Sequence, residues 1–186
     1  MKKRVLLIHG WKGKPTSNWF PWLEWALLLR AVDAKALTMP RPDKPKLNVW
    51  VNTIAEEVGM PNKNTFFVGH SLGGIAILRY LEMLPRRTRI GGVIMVAGFS
   101  ESIGRSEITT FFKHALDYEH IRHITEERIT AIQSTNDPYV PFARGKTLRD
   151  KLGAKLITIK DGGHLNTASG FTTLPVVLDA LIEFKC

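Results

Sequence analysis

Gly69-His70-Ser71-Leu72-Gly73-Gly74 decides how this chain is read. Thr65-Phe66-Phe67-Val68 precedes it as a short β-branched and aromatic run, and Ile75 to Leu84 follows it as a helix. A serine between strand and helix, with glycine two residues to either side, is the G-x-S-x-G pattern of a nucleophile elbow. The turn that lifts the hydroxyl clear is strained. Gly69 and Gly73 are expected to remove side chains where the strand and helix backbones pass closely. An ordinary glycine-rich strand-to-helix turn has the same composition, so residues elsewhere in the chain decide between the two.

On either side of this turn the chain alternates between strands and helices. Val5 to Ile8 is a continuous apolar run, as expected of a strand buried on both faces of a parallel sheet. Further strands are expected at Ala34–Met39, Thr65–Val68, Gly91–Val96, Arg128–Ser134 and Lys155–Ile159. Helices are expected at Trp19–Arg30, Leu47–Val58, Phe142–Leu152 and Leu174–Phe184, the last beginning near Pro175. Phe99 to Glu127 is the least regular stretch, with short helices expected around Glu107–Leu116 and Tyr118–His123. Pro40, Pro42 and Pro45 keep the loop after the second strand extended. The alternation implies one α/β domain over residues 1–186, a mostly parallel sheet of about six strands with helices on both faces. Catalytic loops of such a sheet gather at the carboxyl ends of its strands.

With 186 residues, 44% of them hydrophobic and 23% charged, the chain fits a globular domain with a sizeable core. Its 26 Lys and Arg against 17 Asp and Glu give a net charge of +9. These cations are scattered, with neither a long basic tract nor zinc-finger spacing, so we read a solvated basic surface and expect no nucleic-acid partner. Cys186 is the sole cysteine, which excludes an intrachain disulfide and fits a reducing compartment. Lys2-Lys3-Arg4 before Val5–Ile8 imitates a leader peptide, but the apolar run stops at His9-Gly10 without a cleavage pattern. No apolar stretch reaches the length of a membrane span, and a cytoplasmic location is expected.

A serine hydroxyl needs a base to take its proton and a carboxylate to fix that base. With Ser71 as nucleophile, the acid is sought after a later strand and the histidine after the last one. Asp137 follows the fifth expected strand, and His164 follows the sixth in Lys160-Asp161-Gly162-Gly163-His164. Asp161 lies on too short a loop to turn its carboxylate toward His164, and Glu101, after the fourth strand, ranks behind Asp137. Backbone N–H groups of Leu72 and Trp11 are the expected oxyanion donors, since they follow the nucleophile and the first strand. Trp19, Phe99 and Tyr139 are candidate walls for an apolar substrate group, although aromatics at helical spacing also suit a core. His70 is read as a structural neighbour of the nucleophile. His114, His120 and His123 lack the acidic partners of a metal site, and neither Walker A nor G-x-G-x-x-G is present, so no metal and no nucleotide chemistry is expected.

Taken together, these residues resemble the small serine hydrolase family of the α/β-hydrolases, which includes retinoblastoma-binding-protein-nine-like and YdeN-like esterases. The markers are His9-Gly10, Trp19-Phe20-Pro21-Trp22-Leu23, Met39-Pro40-Arg41-Pro42, the Gly69–Gly74 turn, Asn136-Asp137-Pro138-Tyr139-Val140-Pro141 and Gly162-Gly163-His164. They run nearly end to end. The resemblance implies a compact hydrolase fold without a large cap, a triad of Ser71, Asp137 and His164, and no cofactor. The expected function is a serine hydrolase that cleaves small or short-chain esters through an acyl-enzyme on Ser71. A thioesterase or amidase using the same triad stays open, as does a non-catalytic interaction module on this fold. The expected partner is a small-molecule ester, and nothing in the sequence indicates a protein partner.

Overall fold

Continuous apolar runs become central strands, because a strand covered on both faces has no side to give to polar residues. A computed structural model of the protein describes residues 2–186. Its strands are β1 (Arg4–Ile8), β2 (Asp33–Leu37), β3 (Thr65–His70), β4 (Gly92–Val96), β5 (Ile129–Ser134) and β6 (Lys155–Ile159). They form one sheet in the order β2-β1-β3-β4-β5-β6, and each adjacent pair is parallel. The crossovers run through α1 (Phe20–Leu28), α2 (Leu47–Val58), α3 (Leu72–Glu82), α4 (Tyr118–Thr125) and α5 (Ala143–Leu152), and α6 (Pro175–Glu183) follows β6.

Side chains alternate across the strands and so build two cores. Leu6 and Ile8 of β1 and Phe67 of β3 join Trp50, Ile54, Ile75, Ile121 and Leu148 beneath α2 to α5. Val5, Leu7, Phe66 and Val68 point the other way, against Phe20, Leu23 and Leu27 of α1 and Val177 and Leu181 of α6. Helices therefore cover both faces, as the alternation predicts. Among the described residues, no helix is long and apolar enough to cross a membrane.

β1 lies between β2 and β3, so the chain leaves β1 to one side and returns on the other. That reversal opens a crevice at the carboxyl ends of β1 and β3, where ligands of open α/β sheets bind. Ser71 follows β3 directly, and the His9-Gly10-Trp11 loop follows β1.

Several boundaries differ from expectation for identifiable reasons. β2 stops at Leu37, where its register with β1 ends at Ile8, and the Met39 N–H instead donates to the His9 ring (3.3 Å). α3 begins at Leu72 rather than Ile75, so Gly73 and Gly74 lie inside its first turn. The Glu107–Leu116 helix is a 3₁₀ helix over Ser106–Phe112. Its buried residues, Ile108 and Phe111, are spaced by three, the repeat of that tighter helix. A short 3₁₀ turn at Thr167–Ser169 carries no apolar periodicity; the Asn166 side chain starts it by accepting the Ser169 N–H.

Candidate active site

Ser71 sits at φ 54 and ψ −119, a strained backbone for a non-glycine residue and the only residue between β3 and α3. Two glycines make that turn fit. A Cβ at Gly73 would lie 2.0 Å from the Ile8 carbonyl oxygen, and one at Gly69 would lie 2.5 Å from the Gly74 nitrogen. The Ser71 N–H donates to the Val96 carbonyl (2.8 Å), which ties the elbow to β4. Leu72 opens α3, where helix geometry leaves the first N–H groups without intrahelical acceptors and gives the end a partial positive charge.

The loops after β5 and β6 bring Asp137 to His164. Asp137 Oδ2 accepts from His164 Nδ1 at 2.7 Å, and the carboxylate side chain is fully buried. Its other oxygen accepts the N–H groups of Tyr139 (2.8 Å) and Val140 (3.0 Å), so both oxygens are occupied and the carboxylate cannot rotate freely. With Nδ1–H committed to Asp137, Nε2 of His164 is the nitrogen left to accept a proton. Asp161 is not the partner: its N–H donates to Thr135 Oγ1 (3.0 Å). Glu101 is held by Arg144 (2.6 Å) and Lys151 (2.7 Å), and the Lys151 hydrogen bond keeps its carboxyl below the usual range.

Three further side chains support this arrangement. Asn136 Oδ1 accepts both the Gly163 N–H (2.7 Å) and the Ser134 hydroxyl (2.9 Å), joining the acid loop to the histidine loop. His70 Nε2 lies 2.9 Å from the His164 carbonyl, which only accepts, so His70 carries its proton there. Burial, followed by the neighbouring His164, pushes the His70 pKa down to about 3 and keeps the ring neutral. His9 Nδ1 donates to the Gly10 carbonyl (2.9 Å) while its Nε2 accepts from Met39, and burial lowers its pKa as well. The Lys12 N–H bond to Pro42 (2.8 Å) and the Trp11 indole bond to Asp43 (3.0 Å) pin the same loop to the proline-rich segment.

A cavity of about 380 Å³ opens over these groups. Ser71, Leu72, Trp11 and His164 line it, together with Phe99 and Tyr139, the two aromatic walls expected from sequence. Phe99 is buried and stacks on Phe112 (5.8 Å between ring centroids), whereas Tyr139 is 53% exposed and meets His164 edge-on at 5.0 Å. Trp19 corrects the expectation: it is fully buried and lies outside the cavity lining. Its ring packs on Phe20 and His70 in the core beneath α1, and its indole donates to the Leu165 carbonyl (3.0 Å). Ile103, Arg105 and Ile108 also line the cavity; they come from the irregular stretch 99–127, Ile108 from the short helix expected there.

A profile of the serine hydrolase family matches residues 5–183. The chain is 38% identical over 185 residues to YdeN of Bacillus subtilis, which is named as a hydrolase, covering 99% of this chain and 97% of YdeN. It is 26% identical over 169 residues to the serine hydrolase RBBP9 of Rattus norvegicus, covering 89% and 88%. The crystal structure of the B. subtilis ydeN gene product superposes with a TM-score of 0.91 at 37% identity, covering 98% of each chain.

Proposed function

The chain belongs to the serine hydrolase family, is a hydrolase with the compact α/β-hydrolase fold, and from that premise we propose that it cleaves small carboxylic esters through an acyl-enzyme on Ser71. The observation that carries this reading is the 2.7 Å His164–Asp137 hydrogen bond, with His164 and the strained Ser71 lining one cavity. His164 Nε2 takes the Ser71 proton as Oγ bonds to the substrate carbonyl carbon. The negative oxygen that develops is met by the backbone N–H groups of Leu72 and Trp11. As the intermediate collapses, the carbon–oxygen bond to the alcohol breaks and His164 returns the proton to the departing oxygen. Water, deprotonated by the same imidazole, then releases the acid and restores Ser71.

Asp137 holds the imidazole in the tautomer this sequence needs and stabilises the imidazolium that forms. The cavity volume suits a short acyl or alcohol group held against Phe99 and Tyr139. A p-nitrophenyl ester series of increasing acyl length, combined with fluorophosphonate labelling, tests the proposal. Wild type is expected to label at Ser71 and to prefer short chains. Ser71→Ala is expected to lose the label and about 10⁴-fold or more of kcat. A folded wild type that neither labels nor hydrolyses any ester would overturn the reading, and a preference for long chains would remove its substrate part.

A further inference from the structure

The charged side chains in the wall of the cavity, apart from His164, are Lys12 and Arg105, and no carboxylate lines it among the described residues. Lys12 stands on the loop after β1 with its ammonium 4.7 Å from the Trp11 ring centroid. Arg105 also lines the cavity, immediately before the 3₁₀ helix. Neither forms an ion pair among the described residues. Glu107, the acid nearest Arg105 in sequence, is turned to the Ser106 hydroxyl (3.3 Å).

What is particular to Lys12 and Arg105 is their place in the lining of this cavity; elsewhere on the molecule some cations, such as Lys14 and Arg41, likewise form no ion pair among the described residues, and others do. Arg86 is paired with Glu119, Arg128 with Glu126, Arg144 and Lys151 with Glu101, and Lys155 with Glu183. Among the described residues, two exposed cations without a carboxylate partner, in a lining that also holds Ser71 and His164 and contains no acid, give the cavity a positive potential. Low-dielectric walls strengthen such a potential and select for charge.

We propose that the substrate is an anionic ester, with Lys12 and Arg105 as the residues that select its negative group while its apolar portion lies against Phe99, Ile103 and Ile108. This rests on the acyl-enzyme reading above and adds to it the chemical class of the substrate. A half-ester of a dicarboxylic acid is the simplest member of the class. Its cleavage forms the Ser71 acyl bond, expels the alcohol and, after water attacks, yields the dicarboxylate.

Two matched substrate pairs test the inference and locate the charge. Mono-p-nitrophenyl glutarate against p-nitrophenyl butyrate puts the anion on the acyl side, and 3-butyryloxybenzoate against phenyl butyrate puts it on the leaving group. In one pair the ratio of kcat/KM for anionic over neutral ester is expected to exceed one, and to fall as salt is raised from 0.05 to about 0.5 M. Arg105→Gln or Lys12→Gln is expected to lower that ratio about 5-fold, the scale of one partly desolvated ion pair. Arg105→Lys is expected to keep it and Arg105→Glu to invert it, responses that a merely structural role would not produce. A ratio below one in both pairs, or one that neither Gln substitution moves, would overturn the inference while fluorophosphonate labelling of Ser71 still upheld the reading beneath it. Loss of labelling in folded wild type would take both down.

Discussion

The two halves of the site are built by different means. The half proposed to supply the nucleophile is made of backbone: one strained residue between β3 and α3, glycines where the chain presses on itself, and a helix start beside it. The half proposed to supply the acid and base is made of side chains, with Asp137 locked by two amides and Asn136 binding one loop to the other. Backbone geometry tolerates few residue types, because a Cβ either fits or collides. Side-chain geometry depends on which atoms donate and which accept, so one changed atom suffices to undo it.

Asp137→Asn would break the side-chain half at that single atom. The amide oxygen can still accept the Tyr139 and Val140 N–H groups, but the atom facing His164 Nδ1 becomes a donor. The loop is expected to keep its shape while the imidazole loses the required tautomer, lowering kcat about 10⁴-fold with an unchanged melting temperature. Steady-state kinetics beside thermal unfolding checks this, and an equal loss of stability and rate would contradict it. Gly73→Ala attacks the backbone half and should show the opposite balance. Its methyl would meet the Ile8 carbonyl of β1 at 2.0 Å, so strand or helix must move. A stability loss of about 1–3 kcal/mol is expected by urea unfolding, with the rate falling because Ser71 moves with the helix. Unchanged unfolding would mean that the close approach of α3 to β1 is not needed.

His70 joins the halves, since it ends β3 and donates to the His164 carbonyl. Its folded pKa of about 3 lies below the ordinary 6.5. As pH falls below 6.5 the unfolded chain gains a proton that the folded protein refuses until about 3. The stabilisation is therefore complete above pH 6.5 and declines by about 1.4 kcal/mol per pH unit below it. His9, lowered by burial as well, acts in the same direction. His70→Gln keeps an N–H donor without a titrating ring, so its stability is expected to decline less steeply between pH 6.5 and 5. Urea midpoints across that range measure the slope, and identical slopes in both proteins would remove His70 from the account.

The same division explains what was legible in the sequence. Glycine at 69 and 73 and serine at 71 form a pattern because collision restricts the residue types. Strand β1 is legible as an apolar run covered on two faces and the other strands through their alternation with helices, and the positions of Asp137 and His164 follow from the strand ends. Asn136 stands in the Asn136–Pro141 marker, but its bridging role is not legible there, because it depends on atoms contributed by Ser134 and Gly163. Trp19 was assigned to the pocket because apolar spacing is equally compatible with a core; the packing of α1 puts it beneath the sheet. Lys12 belongs by sequence to a scattered basic surface, since sequence alone does not reveal which cations line a cavity.

The His70–His164 hydrogen bond spans 94 positions of the chain, and this sequence separation bears on how the protein folds. Ser71, Asp137 and His164 follow different strands, so no local segment contains the site. Contacts of such long range form late and make folding slow compared with that of helical bundles of similar size. Recovery of the proposed ester hydrolysis during refolding would therefore report completion of the sheet, appearing only after most of the helical signal has returned.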